Sequence, residues 1–180
     1  MAMTDDIERI LISKETILEC CERMGKQIEH DYESKNPIIV GLLKGCEPFM
    51  SDLVKNIGCY IRTDYMDVSS YVGTESIGHI IIKKDVDFDV KDQDVIIVDD
   101  IIDSGQTLHD IIKFLKDRGA KSVEAAILLA KNVVRKHEIN VKYIGTTVEN
   151  EFVVGYGLDY NESYRNLEFV GVLKKEVYEK

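Results

Sequence analysis

The sequence is short of proline, of basic charge, of long apolar runs and of paired metal-binding spacings, and each shortage closes off a class of protein. Only two prolines occur among 180 residues, with 44% hydrophobic and 31% charged side chains, which argues against a disordered or fibrous chain. Unbroken apolar runs such as Ala125 to Ala130 reach about a third of the roughly 20 residues that a membrane-spanning helix needs, so no transmembrane segment is expected. The start, MAMTDDIERI, has acids where a signal peptide carries basic residues and then an apolar stretch, which disfavours export and membrane anchoring.

Lysine and arginine total 23 against 33 acids, a net charge of −10, so the chain as a whole repels nucleic acid and anionic lipid. One small anionic ligand stays compatible with that balance, because amides, a cation or two and a divalent metal can reverse the potential inside a pocket. Four cysteines (Cys20, Cys21, Cys46, Cys59) and four histidines (His30, His79, His109, His137) show no C-x-x-C, H-x-x-H or C-x-x-C-H spacing, which leaves zinc and haem sites unsupported. Buried, reduced thiols and a cytoplasmic setting are the expectation.

What is present alternates strands with helices. The spacing predicts a helix capped by Ser13 with Ile17, Leu18, Cys21, Met24 and Ile28 on one face, ending before Asn36 and Pro37. IIVGLL at 38 to 43 reads as a strand covered on both faces, followed by a helix with Pro48 in its first turn. Residues 59 to 71 and His79 to Ile82 read as a β-hairpin whose polar tip, Val72 to His79, is mobile. The aspartates 85, 87, 89, 92 and 94 resemble a calcium loop only superficially, since Val90 and Ile96 stand where an EF-hand needs glycine and glutamate; a solvated acidic connection is expected. Further strands are read at 95 to 98, 123 to 129, 141 to 144, 152 to 156 and 168 to 173, with a helix from Gln106 to Arg118 ended by Gly119. These elements predict one α/β domain built on a mostly parallel, twisted sheet flanked by helices, with no repeat or linker.

The segment VIIVDDIIDSGQTL, residues 95 to 108, carries the most chemistry: a buried strand, two adjacent acids, a loop with serine, glycine and threonine, then a helix. In open α/β sheets ligands bind at the carboxyl ends of strands. Asp103 to Thr107 gather backbone N–H groups, two hydroxyls and a helix N-terminus around one point, which suits a phosphate monoester, and Gly105 permits close approach. Asp99 and Asp100 cannot bind phosphate and need another partner, ribose hydroxyls or a metal. An acidic turn that merely caps the helix, with Asp103 or Ser104 as N-cap, is the competing reading. A Walker P-loop is absent, Gly155-Tyr156-Gly157 lacks the third glycine of a dinucleotide fingerprint, and the acid pair falls too late in the chain for a receiver domain.

The same segment resembles the phosphoribosyl-pyrophosphate (PRPP) binding motif of type I phosphoribosyltransferases. Three further stretches, LLKG at 42 to 45, SSYVGT at 69 to 74 and EFVVGYGLDYNESYRNL at 151 to 167, resemble the 6-oxopurine branch, the hypoxanthine-guanine phosphoribosyltransferases. The resemblance implies a core over roughly 37 to 150 and a small hood from roughly 1 to 15 and 151 to 180. It implies transfer of ribose 5-phosphate from PRPP to hypoxanthine, and to guanine, with Mg²⁺ as cofactor and a homodimer or homotetramer as the assembly. By resemblance, Asp99 and Asp100 hold the ribose hydroxyls, and Asp103, Ser104, Gly105, Gln106 and Thr107 hold the 5-phosphate. Asp103 is also the general acid/base toward purine N7, its pKa raised by the nearby phosphate.

Lys44, Gly45 and Arg165 resemble the pyrophosphate site, often with a cis peptide before the lysine. Phe152 and Ile101 resemble the groups that sandwich the purine, while Lys131 and the Val153 backbone meet its edge. Asp159 lies beside the base and resembles a Mg²⁺ ligand, with Asp99 and Asp100 as further metal candidates. Ser70 and Tyr71 resemble the lid loop. Departures from the family pattern are Asp99, where many relatives carry glutamate, Cys46 after Gly45, where small residues are common, and Gln106. Preference for xanthine or guanine, and a regulatory RNA-binding protein on the same fold, are the alternatives; the latter needs a basic face that the net charge argues against.

Overall fold

The computed structural model describes residues 2–70, 80–134 and 139–179. A turn of 3₁₀ helix (Met3–Asp6) leads into β1 (Ile7–Ile12), and Ser13 then caps α1 (Lys14–Tyr32), its hydroxyl accepting the Thr16 N–H at 3.3 Å. There follow β2 (Ile38–Leu43), α2 (Glu47–Val54), β3 (Arg62–Ser70), β4 (Ile80–Lys84), β5 (Asp94–Ile102), α3 (Gln106–Asp117) and β6 (Ser122–Lys131). The chain ends with β7 (Tyr143–Val148), β8 (Val153–Val154), β9 (Val170–Leu173) and α4 (Lys175–Tyr178).

Six strands form one sheet in the order β4-β3-β2-β5-β6-β7, parallel from β3 to β7, with β4 antiparallel on the edge. The expected α/β architecture is therefore present. One core lies between this sheet and α1 and α2, with Ile17, Met24, Phe49, Ile39 and Val98; another lies under α3, with Leu108, Ile111, Val40 and Ile97. Because β2 and β5 feed both cores, their sequences are apolar at consecutive positions instead of alternating. A smaller antiparallel sheet, β1-β9-β8, packs Val153, Val170 and Val172 onto the first core. No helix among the described residues is long and apolar enough to cross a membrane.

Several elements depart from expectation. Leu18 is 42% exposed, because it sits about 100° round the helix from Ile17; Cys20 and Tyr32 join the buried face instead. β5 does not stop at Val98 but continues to Ile102, since the long β6 run offers Ile127, Leu129 and Ala130 as partners to Asp99, Ile101 and Ile102. Gly105, at φ +78°, is the N-cap of α3, and Ser104 one residue earlier accepts the Gln106 N–H at 3.4 Å, so the serine of the capping pair read from the sequence does meet the helix start. The strand read at 152 to 156 shrinks to two residues because Gly155, Tyr156 and Gly157 all take positive φ. β1 was not foreseen as a strand; half its residues are exposed and it lacks a clean alternation. In the acidic stretch the aspartates at 85, 87, 89 and 92 are exposed as expected, while Val86 and Val90 plug into the second core. β3 and β4 pair antiparallel from Asp67 to Ser70, but the proposed lid tip, with Tyr71, lies outside the described residues.

Candidate active site

Strand order locates the site. The chain leaves β2 for β3 on one side and β5 for β6 on the other, so the loops after β2 and β5 diverge and open a crevice between them. Lys44 and Gly45 follow β2, and Asp99 to Thr107 finish β5 and enter α3. The β2–β5 register ends at Gly41 and Val98, so on the β2 side the acid pair lies beyond the paired residues, while on the other side Asp99 still pairs with Ile127 of β6.

Asp99 to Leu108, with Ile127, line a cavity of about 280 Å³. The apolar alternation along β5 changes phase at the acids: Ile96 and Val98 face the α1 side, as does Ile101, whereas Ile97 and Ile102 face α3. The Asp99 carboxylate accepts the Asp100 N–H at 3.0 Å, occupying part of the backbone at this change. Burial, reinforced by the neighbouring Asp100 carboxylate, pushes Asp99 well above the usual carboxylate range; burial raises Asp100 too, opposed first by its hydrogen bonding with Asp99 and the Ile101 backbone and then by Arg165. The first residues of α3, Gln106 to Leu108, line the same cavity, and a helix's first N–H groups have no intrahelical partners; the Gln106 N–H is accepted by the Ser104 hydroxyl at 3.4 Å. Gly105 is favoured by its positive φ of +78°; a Cβ there would also meet the movable tip of the Ile139 side chain at 2.8 Å.

Across the crevice, three groups stack without side chains between them. A Cβ on Gly45 would lie 1.9 Å from the Asp100 carboxylate, and one on Gly157 would lie 1.9 Å from the Gly45 carbonyl oxygen. The Leu43–Lys44 peptide is cis. Arg165 donates to the Gly157 carbonyl at 2.7 Å and pairs with Asp159 at 2.9 Å; its buried Nε has no hydrogen-bond partner among the described residues. Glu162 bridges the two cations, 3.0 Å from Lys44 Nζ and 3.5 Å from Arg165 Nη2, and its N–H donates to Asp159. The loop carrying Gly157 is tied to α2 by the Tyr156 hydroxyl, which donates to Asp52 at 2.7 Å. Cys46 is fully buried beside the acids, and burial pushes its thiol up.

At the end of β6, Lys131 Nζ lies 3.5 Å from the Asp103 carboxylate; the lysine side chain is 15% exposed and the aspartate 59%. Phe152 is 38% exposed, with Tyr160 against its edge at 5.6 Å and Tyr178 stacked on one face at 4.6 Å and 17°. Val153 is buried in β8, and Ile101 packs at the margin of the first core.

Contacts thus connect Asp100, Gly45, Gly157, Arg165, Asp159, Glu162 and Lys44 in one chain, and Asp103 with Lys131 in a second. Ser104, Gln106 and Thr107, read from the sequence as phosphate contacts, border the same cavity as Asp99 and Asp100. Ser70 ends β3, and its side chain and Tyr71 lie outside the described residues. Sequence reading missed Glu162, Gly157 and Tyr178. Glu162 had a signal, its charge three residues before Arg165 within the quoted motif, whereas nothing in the pattern around Tyr178 sets it apart.

Residues 7–161 match the family model described as the phosphoribosyl transferase domain, and the chain belongs to that family. It is 51% identical over 177 residues to the hypoxanthine-guanine phosphoribosyltransferase of Streptococcus pneumoniae, covering 98% of each chain. A crystal structure of a hypoxanthine phosphoribosyltransferase from Staphylococcus aureus matches with a TM-score of 0.94 at 46% identity, over 98% of this chain and 96% of that one. The bifunctional protein TilS/HprT of Listeria monocytogenes is 48% identical over 178 residues, and the chain spans 28% of its length. The Streptococcus pneumoniae and Staphylococcus aureus relatives, matched end to end, are thus a hypoxanthine-guanine and a hypoxanthine phosphoribosyltransferase, the branch the sequence motifs resemble.

Proposed function

We infer that the chain is a purine-salvage enzyme that transfers the 5-phosphoribosyl group of PRPP to hypoxanthine, and to guanine, giving IMP or GMP and pyrophosphate. The observation that carries this reading is the crevice at the switch point. An acid pair beside a helix N-terminus lies on one side, two cations lie on the other, and only glycine backbone stands between them.

Breaking the bond from the anomeric carbon to pyrophosphate builds positive charge on the sugar and negative charge on the leaving group, so electrostatic stabilisation dominates. Asp99 and Asp100 hold the ribose hydroxyls and favour the cation-like sugar. Asp103 to Thr107 hold the 5-phosphate. Lys44, the Gly45 backbone and Arg165 take the pyrophosphate; the two cations are held side by side by Glu162. The purine stacks on Phe152, with Ile101 opposite and the Val153 backbone at its edge.

O6 and N7 lie side by side on one purine edge. Lys131 and Asp103 lie side by side at 3.5 Å, which supports Lys131 as donor to O6 and Asp103 as the group that exchanges a proton with N7. Adenine would leave the Lys131 ammonium facing an amino group, which disfavours it.

Mg²⁺ fits the donor set. Asp159 spends one carboxylate oxygen on Arg165 and the other on an N–H but keeps lone pairs free, and the raised Asp99–Asp100 pair marks two like charges suited to a cation or to hydroxyl donors. When bound, the ion offsets charge on the leaving pyrophosphate. Ser70 and Tyr71 belong to a lid that excludes water from the reacting centre. One domain with a core over roughly 37 to 150 and a hood from the terminal segments, a homodimeric or homotetrameric assembly and a cytoplasmic setting complete the reading.

Purified protein with PRPP and Mg²⁺, offered hypoxanthine, guanine, xanthine and adenine separately, tests it. IMP and GMP are the expected products; adenine-only conversion, or no nucleotide from any base, overturns it.

A further inference from the structure

Phe152 precedes β8, and β9 beside it leads directly into α4. The Leu173 N–H donates to the Phe152 carbonyl at 2.9 Å, so the entry of one strand is fastened to the exit of the other. That fastening brings Tyr178, on the single turn of α4, over the Phe152 ring. Their centroids are 4.6 Å apart with planes 17° from parallel, a stacked pair, while Tyr160 meets Phe152 edge-on at 85°. Tyr178 and Tyr160 both pack on the outer face of the small sheet with Val154, Tyr164 and Leu173, on the side away from the main core. One face and one edge of Phe152 are therefore held by aromatic neighbours, and the ring is still 38% exposed.

We propose that Tyr178 is a positioning residue for the purine: it backs Phe152 from the outer side so that the free face of that ring is presented, at fixed tilt, to the base. This rests on the reading of Phe152 as the purine's stacking platform. A phenylalanine ring held only at its backbone can rotate about two side-chain torsions, and stacking on a purine would have to immobilise it. With Tyr178 behind and Tyr160 at the edge, that cost is met before the base arrives, and the base completes a three-ring stack. The effect of Tyr178 belongs to base binding, since among the described residues no hydrogen bond, ion pair or ring contact joins Tyr178 to the acid pair, Lys44 or Arg165.

Steady-state kinetics of the intact chain test this. Tyr178→Ala raises the KM for hypoxanthine by roughly three- to tenfold, the size of one aromatic pair, and leaves the KM for PRPP within about twofold. Tyr178→Phe and Tyr178→Trp keep the stack and restore the KM for the base. Phe152→Ala separates the two readings. If it leaves base binding unchanged, the platform itself is wrong. If it weakens base binding while Tyr178→Ala does not, only the backing role fails. A lower KM for hypoxanthine in Tyr178→Ala also overturns the proposal, because it would put Tyr178 on the face the purine needs. Thermal melting of each variant identifies loss of fold, and retention of the PRPP KM with rescue by phenylalanine excludes a merely structural effect.

Discussion

Gly45→Ala is a clean perturbation of the crevice. Gly45 is not in the left-handed region, so alanine is acceptable to the backbone and any effect arises from the added methyl group alone. That methyl carbon would lie 1.9 Å from the nearer Asp100 oxygen, where ordinary contact begins at 3.4 Å. Either Asp100 or the Lys44–Gly45 loop must therefore retreat by about 1.5 Å, and the loop is hemmed in from behind by Gly157. Misplacement of about 1 Å in a positioned group costs about a hundredfold in rate. The expected loss is accordingly on the order of a hundredfold in kcat/KM for PRPP, about 2.7 kcal/mol of transition-state stabilisation. Initial rates of IMP formation, with PRPP varied at saturating hypoxanthine and fixed Mg²⁺, give the number, and a melting curve verifies the fold. A variant within threefold of the parent enzyme would refute the claim that the ribose and pyrophosphate sides are registered through this contact.

Glu162→Gln removes the carboxylate that now bridges Lys44 and Arg165, and should lower the KM for PRPP by about two- to fivefold, the modest effect of an exposed pair; a raised KM would mean that Glu162 helps to hold the donor. Asp99 has a folded-state pKa above its unfolded value, so the folded chain holds the extra proton and its stability declines as pH rises from the unfolded carboxylate value through the raised one. Asp99→Asn should therefore melt higher than the parent at pH 7 and show a flatter pH profile, while losing turnover; a lower melting point with an unchanged profile would contradict the buried like-charge account. Asp103→Asn should lower turnover by about a hundredfold or more while PRPP binding, measured by calorimetry, persists; near-normal turnover would remove Asp103 from the acid/base role.

Much of the central sheet was legible because its signals are local. IIVGLL, the Ser13 cap, Pro48 and Gly119 each act within a few residues, and the structure uses them as read. The misjudged boundaries depend on partners distant in the chain. β5 runs through Asp99 and Asp100 because β6 continues beside it, and two charged residues within a strand end any reading based on hydrophobicity. β1 exists because β9 pairs with it from the other end of the chain. Among candidate site residues, the loop from Asp103 to Thr107 could be read from the N–H geometry of a strand-loop-helix, but Lys44, Arg165, Lys131 and Phe152 were reached only by resemblance. Each is an unremarkable residue in its own segment and acquires meaning only when β2, β6 and the segment at 151 to 167 converge. Tyr178 escaped because its significance is a contact with another side chain, which no spacing encodes; Glu162 carries an i,i+3 signal toward Arg165, but its bridge to Lys44 arises only where two distant segments meet.

The small sheet has no closed interior of its own on its inner side. Val153, Tyr156, Leu158, Val170 and Val172 share one continuous core with α1 and α2. Cutting the chain near residue 150 would strip the roof from that interior and expose core side chains of α1 and α2 to water, so the segment after residue 150 is a structural keystone as well as the carrier of candidate site residues. Thermostabilising changes made under α1 should consequently also tighten the segment proposed to meet the base, and variation there will be tolerated best where it spares these five inward-facing side chains.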